Sequence, residues 1–186
     1  MFRTNADAIG RAAIPIARTT GDDTGSTPSG NDMSQRPTIE QLNRQHVLDV
    51  LAMLYAGDIE GALAKCSEDV DHFVAAPVDL FPHLGARRGK QQVRAMWQTI
   101  LSRYSDLRHE VRSIIAEADR VAVDLRVFMR KRANDRMLQF DTAIFFTLQA
   151  GKLTRVREIV DTFDLVQQVI ERDLGPLMDP LPPETI

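Results

Sequence analysis

The stretch DLRHEVRSIIAEADRVAVDLRVFMRKRANDRMLQFDTAIFFTLQAGKLTRVREIVD, residues 106–161, decides the fold. Four runs within it, Leu107–Ile115, Val121–Met129, Met137–Leu148 and Leu153–Val160, are rich in Val, Ile, Phe and Thr, residues that suit a pleated, half-buried surface. Three turn signals separate them, the last being Ala150-Gly151. Four long consecutive strands joined by short turns predict an antiparallel meander. Side chains alternate across a strand, so Val121, Val123, Leu125, Val127 and Met129 define one uniformly apolar face.

Working outward, helical spacing replaces alternation. Val93, Met96, Trp97, Ile100, Leu101 and Tyr104 predict a helix over about 90–104 whose apolar stripe lies on the sheet. Val70–Ala75 reads as a short first strand. Thr38 and Gln41 have the spacing of a capping box, in which each side chain satisfies the other residue's free backbone amide, and a helix follows to about Ala56. Its expected apolar face is Leu42, Val47, Leu48, Leu51 and Leu54. Gly57-Asp58 ends it and caps a second short helix through Leu63, and a last helix over 162–174 is stopped by Gly175-Pro176. This order predicts an α+β domain over 38–175, a curved antiparallel sheet wrapped around the N-terminal helices and enclosing a conical cavity.

Residues 1–37 differ in kind. Their Gly/Ser/Thr/Pro-rich run 19–32 buries too little apolar area to offset ordering entropy, which predicts a disordered tail and leaves Met33 as an alternative start. The Pro-rich segment 176–186 is a second expected tail. Deletion to Ser34 should therefore preserve cooperative thermal unfolding; its loss would show that the tail packs on the domain.

The 186 residues, 44% hydrophobic, suffice for one domain with a real core. A net charge of −3 without a basic stripe gives no footprint for nucleic acid or a membrane surface. Cys66 is the only cysteine, which excludes an internal disulfide and fits a reducing cytosol. No apolar run approaches the ~20 residues of a membrane helix, so a soluble, cytoplasmic protein is expected. Asp69, Asp71 and His72 alternate faces and have no evident further ligands, and no phosphate-cradling glycine loop or nucleophile elbow occurs. Neither a metal nor a cofactor is expected.

Several motifs in fixed order carry a family resemblance: Ala56-Gly57-Asp58 after the first helix, Gly89 before the third, Ile115–Val123 at the first hairpin, Gly151-Lys152-Leu153, and Arg157-Glu158-Ile159-Val160-Asp161. Over about residues 40–173 the chain resembles the nuclear-transport-factor-2-like superfamily, in particular its SnoaL-like branch. That superfamily includes ketosteroid isomerase, limonene-epoxide hydrolase, polyketide cyclases, dehydratases and non-catalytic binding modules, so the fold alone does not choose a reaction. The slots that carry proton chemistry in ketosteroid isomerases fall at Val50, near Ala76 and at Ile144, and Ile144 also takes the acid/base slot of SnoaL-like cyclases. None of these can do that chemistry. The resemblance to epoxide hydrolases implies more: their arginine matches Arg126 and their last-strand acid matches Glu158, while Phe128 replaces the middle acid and Asp124 lies on the same face as Arg126.

The candidate catalytic group is therefore Glu158 with Arg126 and Asp124. Glu158 shares a face with Val156 and Val160, so a carboxylate there needs a partner, and Arg126 is the expected one. The same residues also fit structural ion pairs on a solvated strand face. Expected ligand contacts are His72, His109, Trp97, Phe128, Ile144 and Phe146, with His83 in an apolar loop as a further pocket-mouth histidine. Two functions remain open: an enzyme that isomerises, cyclises, dehydrates or hydrates a small apolar molecule by acid–base chemistry, and a non-catalytic ligand-binding or dimerisation module. Phe145 falls on the uncovered face of the meander, which with the resemblance predicts a homodimer.

Overall fold

A computed structural model of the protein describes residues 36–175. Almost all of the first expected tail and the whole of the second, with the alternative start, lie outside them. In chain order the elements are α1 (Ile39–Tyr55), α2 (Ile59–Ala64), β1 (Cys66–Ala75), β2 (Ala86–Arg88), α3 (Gly89–Arg103), β3 (Tyr104–Glu117), β4 (Arg120–Lys131), β5 (Met137–Gln149), β6 (Lys152–Val160) and α4 (Thr162–Ile170). The expected meander is β3 to β6, paired antiparallel throughout. The full sheet has the order β2-β1-β6-β5-β4-β3, and β1 runs parallel to β6.

Register shifts between Ser105 and Arg108, Val111 and Ser113, and Thr147 and Leu148 interrupt the ladders. Such irregularities bend a strand and increase its local twist, which is how a flat ribbon becomes a curved wall. Its concave face carries Val70, His72 and Val74 of β1, the β4 series Val121 to Val127, Phe140 to Phe146 of β5, and Val156 and Val160 of β6, all buried. Fully enclosed side chains such as Leu125, Leu138 and Leu153 each contribute roughly 1.5–3 kcal/mol. Cys66 is buried with its thiol 3.5 Å from the Ala62 carbonyl, and burial pushes that thiol up to about 11, so it acts as a small apolar filler.

The capping box at α1 is present: Gln41 N–H donates to Thr38 Oγ1 at 3.3 Å and Thr38 N–H to Gln41 Oε1 at 2.8 Å. The buried face differs from expectation. Leu42 stays exposed, and Asn43 is buried in its place because its amide donates to the Ala118 carbonyl at 2.8 Å, tying α1 to the β3–β4 hairpin. In α3, Val93, Met96 and Trp97 are buried as the stripe predicts. The last helix ends at Ile170, before the expected stop at Gly175-Pro176, since Glu171 adopts the left-handed conformation (φ 60°) that closes a helix.

Candidate functional site

Between the concave sheet and the helices lies a cavity of about 110 Å³. Val50, Leu51, Leu54 and Tyr55 of α1 form one wall, Val93, Met96, Trp97 and Ile100 of α3 another, and Phe81, His83 and Leu84 of the β1–β2 loop a third. The sheet contributes His72, Val74, Phe140, Ile144, Phe146, Val156, Glu158 and Val160. Among the described residues no lysine, arginine or aspartate lines it, and Glu158 is its single carboxylate.

Glu158 sits on β6 between Ile144 of β5 and Val74 of β1, in register with both. Alternation with Val156 and Val160 turns it inward, as the sequence predicts. It is half-buried and contributes to the cavity wall. Burial pushes its carboxyl from 4.5 up to about 7, and the nearby Thr142 hydroxyl opposes this only in part. The Thr142 hydroxyl lies 3.2 Å from Glu158 Oε1 and 3.1 Å from the Ile159 carbonyl oxygen. It carries one proton and so serves one acceptor fully at a time. Thr142 donates to the ionised Glu158, whereas a protonated Glu158 would donate its own O–H to Thr142 and free the hydroxyl proton for Ile159.

Other polar groups punctuate the apolar wall. Tyr55, the last residue of α1, stands edge-on to Trp97 with ring centroids 6.1 Å apart. Burial, and secondly the charge of Glu158, raise its phenol well above the usual tyrosine range, so it is a neutral hydroxyl. The helix face read from the sequence omitted it, although Tyr55 continues the Val47, Leu51 series at intervals of four. His72, on the same face of β1 as Val74, is 5% exposed, and burial holds its imidazole down at about 4 despite the opposing charge of Asp71.

The structure brings together Glu158, His72, Trp97, Ile144 and Phe146 at the cavity. It does not bring Arg126, Asp124 or Phe128 there. These three alternate with Leu125 and Val127, which face inward, so they occupy the convex face. Arg126 donates to Asp141 at 2.9 and 3.2 Å, and Arg112 links Asp141 to Asp124 at 3.0 and 2.7 Å. Phe128 lies under the Arg108 guanidinium. The expected Arg126–Glu158 pair is therefore corrected: Glu158 has no cationic partner among the described residues, and Arg126 belongs to a charge network on the convex face. His109 is half-buried behind Tyr55, ring centroids 4.4 Å apart, and does not line the cavity. Among the described residues no group of three or more His, Cys, Asp or Glu could hold a metal, and no helix is long and apolar enough to cross a membrane.

Comparison with known proteins gives the same architecture. A provisionally named isomerase from Rhodopseudomonas palustris is 27% identical, with 73% of this chain and 100% of that one covered and a TM-score of 0.64. A nuclear-transport-factor-2-like protein from Burkholderia xenovorans is 26% identical, covering 69% and 96%, with a TM-score of 0.59. A provisionally named SnoaL-like polyketide cyclase from Jannaschia is 17% identical, covering 73% and 96%, with a TM-score of 0.63, a likeness of fold alone. No curated protein matches. Residues 47–156 match the SnoaL-like domain, and the chain belongs to that branch of the nuclear-transport-factor-2-like superfamily.

Proposed function

We propose that the cavity binds a small, largely apolar molecule and that Glu158 transfers a proton to or from it, in an isomerisation, cyclisation, dehydration or hydration. The observation that carries this reading is a carboxyl that, among the described residues, is the only one in a largely apolar cavity and has no cationic partner, so that burial pushes it up to about 7. A structural carboxylate is normally paired, because an unpaired one is costly to bury. Catalytic acids and bases work best with a pKa near the operating pH, and desolvation is the usual way a glutamate reaches it. Tyr55 adds a neutral hydroxyl able to donate to a developing oxyanion. The provisional name of the Rhodopseudomonas relative is consistent with proton-transfer chemistry.

The test is a fragment and metabolite screen by thermal shift on wild type and Glu158→Gln in parallel, followed by product analysis on every hit. Hits that stabilise both proteins and are converted only by wild type support acid–base catalysis. Hits that bind both and are converted by neither would make the protein a binding module.

We also infer that two copies associate through the convex face. In register across four strands, Ile115, Ala122, Phe145 and Arg157 form one row, and Arg157 stacks over Phe73 on the next strand. Ile115, Phe145 and Ile159 remain 66%, 47% and 44% exposed. Apolar side chains clustered on one sheet face, rather than scattered singly, mark an association surface. Light scattering at micromolar concentration should report a dimer, and Phe145→Glu should weaken it without unfolding the protein; a monomeric wild type would remove this assembly.

A further inference from the structure

The inward row of β5 runs Leu138, Phe140, Thr142, Ile144, Phe146 and Leu148, all buried, and Thr142, 3% exposed, is its single polar member. Valine has nearly the same shape, so packing alone does not call for a hydroxyl there, and burying one is costly unless it is hydrogen-bonded. One acceptor meets that need, and the Ile159 carbonyl at 3.1 Å supplies it. The hydroxyl nevertheless has a second, Glu158 Oε1 at 3.2 Å. Ile144 faces Glu158 across the β5–β6 ladder, and Thr142, two residues earlier, is the diagonal neighbour on the same face. Among the described residues no other side chain hydrogen-bonds to Glu158. Thr142 does not line the cavity, so it acts on a ligand only through that carboxyl.

A threonine hydroxyl both donates and accepts, and it rotates to suit its partners. Resting on the acid–base reading above, we propose that Thr142 is the positioning residue of Glu158: its hydroxyl turns between Glu158 Oε1 and the Ile159 carbonyl as the carboxyl loses and gains its proton, and holds the carboxyl in place in both states. The reacting proton passes between Glu158 and the ligand, and Thr142 keeps its own. The bond donated to the charged form is the stronger one, so Thr142 favours the carboxylate.

The other titratable groups of the cavity wall are Tyr55 of α1, Cys66 and His72 of β1, His83 of the β1–β2 loop and Tyr104 of β3. Burial raises both phenols and the thiol, and it holds both imidazoles below their usual range. A probe that reads Glu158 alone is therefore needed, and it requires no ligand. In protein labelled with carbon-13 at the glutamate side-chain carboxyl, the Glu158 resonance is the one missing from Glu158→Gln. Its titration midpoint in wild type should lie at about 7. In Thr142→Ser it should stay there. In Thr142→Val it should rise by about one unit, the difference between a hydrogen bond to a charged group and one to a neutral group.

A threonine that only fills the core would change the unfolding temperature of Thr142→Val and leave the midpoint alone. An unshifted midpoint in Thr142→Val, or a Thr142→Ser midpoint that rises with it, would overturn the positioning role and leave Glu158 standing as acid or base. Should Thr142→Val not fold, Thr142→Cys takes its place; a thiol is a weak donor, and the same upward shift is expected. A wild-type Glu158 that titrates at 4.5, as an ordinary glutamate does, would sink this role and the acid–base reading together.

Discussion

Glu158→Gln should reduce the turnover of any substrate the cavity accepts by about 10²–10⁴-fold, the usual contribution of a positioned acid or base, with little loss of ligand affinity. Glutamine preserves shape and one acceptor oxygen and removes the titrating proton. In the absence of a cationic partner, the change leaves no orphaned charge behind, so the large penalty of breaking a buried ion pair does not apply. The pH profile assigns the role. With the carboxyl at about 7, both protonation states are populated at neutrality. Activity (kcat/KM) that rises through pH 7 identifies a general base, and activity that falls identifies a general acid. A substrate turned over equally well by wild type and Glu158→Gln would refute the catalytic assignment.

The meander was legible because alternation over four long runs is a local signal that sterics alone interpret. The parallel pairing of β1 with β6 was not, since it joins segments some 85 positions apart in sequence and depends on the closure of the whole sheet. The strand β2, of three residues, is too short to carry a pattern. β1 begins at Cys66 instead of Val70 because an irregular register lets Glu68 and Asp69 turn outward while Cys66 still pairs with Leu153.

The site was legible in half. Parity placed Glu158 inward correctly, through its apolar neighbours Val156 and Val160. The same parity, applied to Val121, Val123, Leu125 and Val127, already placed Asp124 and Arg126 outward, and the structure follows the parity rather than the motif match. Arg126 thus illustrates how an isolated charged residue at a family position carries little weight against the face its strand must bury. Removing it with Arg126→Ala should leave ligand binding unchanged. Tyr55 was missed for a different reason: the stripe was counted from leucines and valines, and an aromatic at the end of a helix extends such a stripe without looking like part of it.

The stability of the protein should depend on pH through two cavity groups of opposite sign. Glu158 is shifted upward on folding, from 4.5 to about 7, so the folded state holds more protons than the unfolded chain across that window. Its contribution is fully present below 4.5 and is lost as pH rises to about 7, by roughly 3 kcal/mol. His72 is shifted downward, from 6.5 to about 4, so the folded state holds fewer protons there, and its contribution is present above 6.5 and lost as pH falls towards 4. Between about 4.5 and 6.5 the two slopes offset each other, and wild type should show little pH dependence from this pair. Glu158→Gln removes one of them. Relative to wild type, its unfolding free energy should therefore increase by roughly 3 kcal/mol between pH 4.5 and pH 7.5, as read from urea titrations at one-unit intervals. Taking the difference between the two proteins cancels the surface carboxylates and the other histidines, which titrate alike in both. A difference that stays constant across this range would mean that Glu158 is ionised throughout, and a carboxylate already charged at pH 5 would have no proton to give at neutrality.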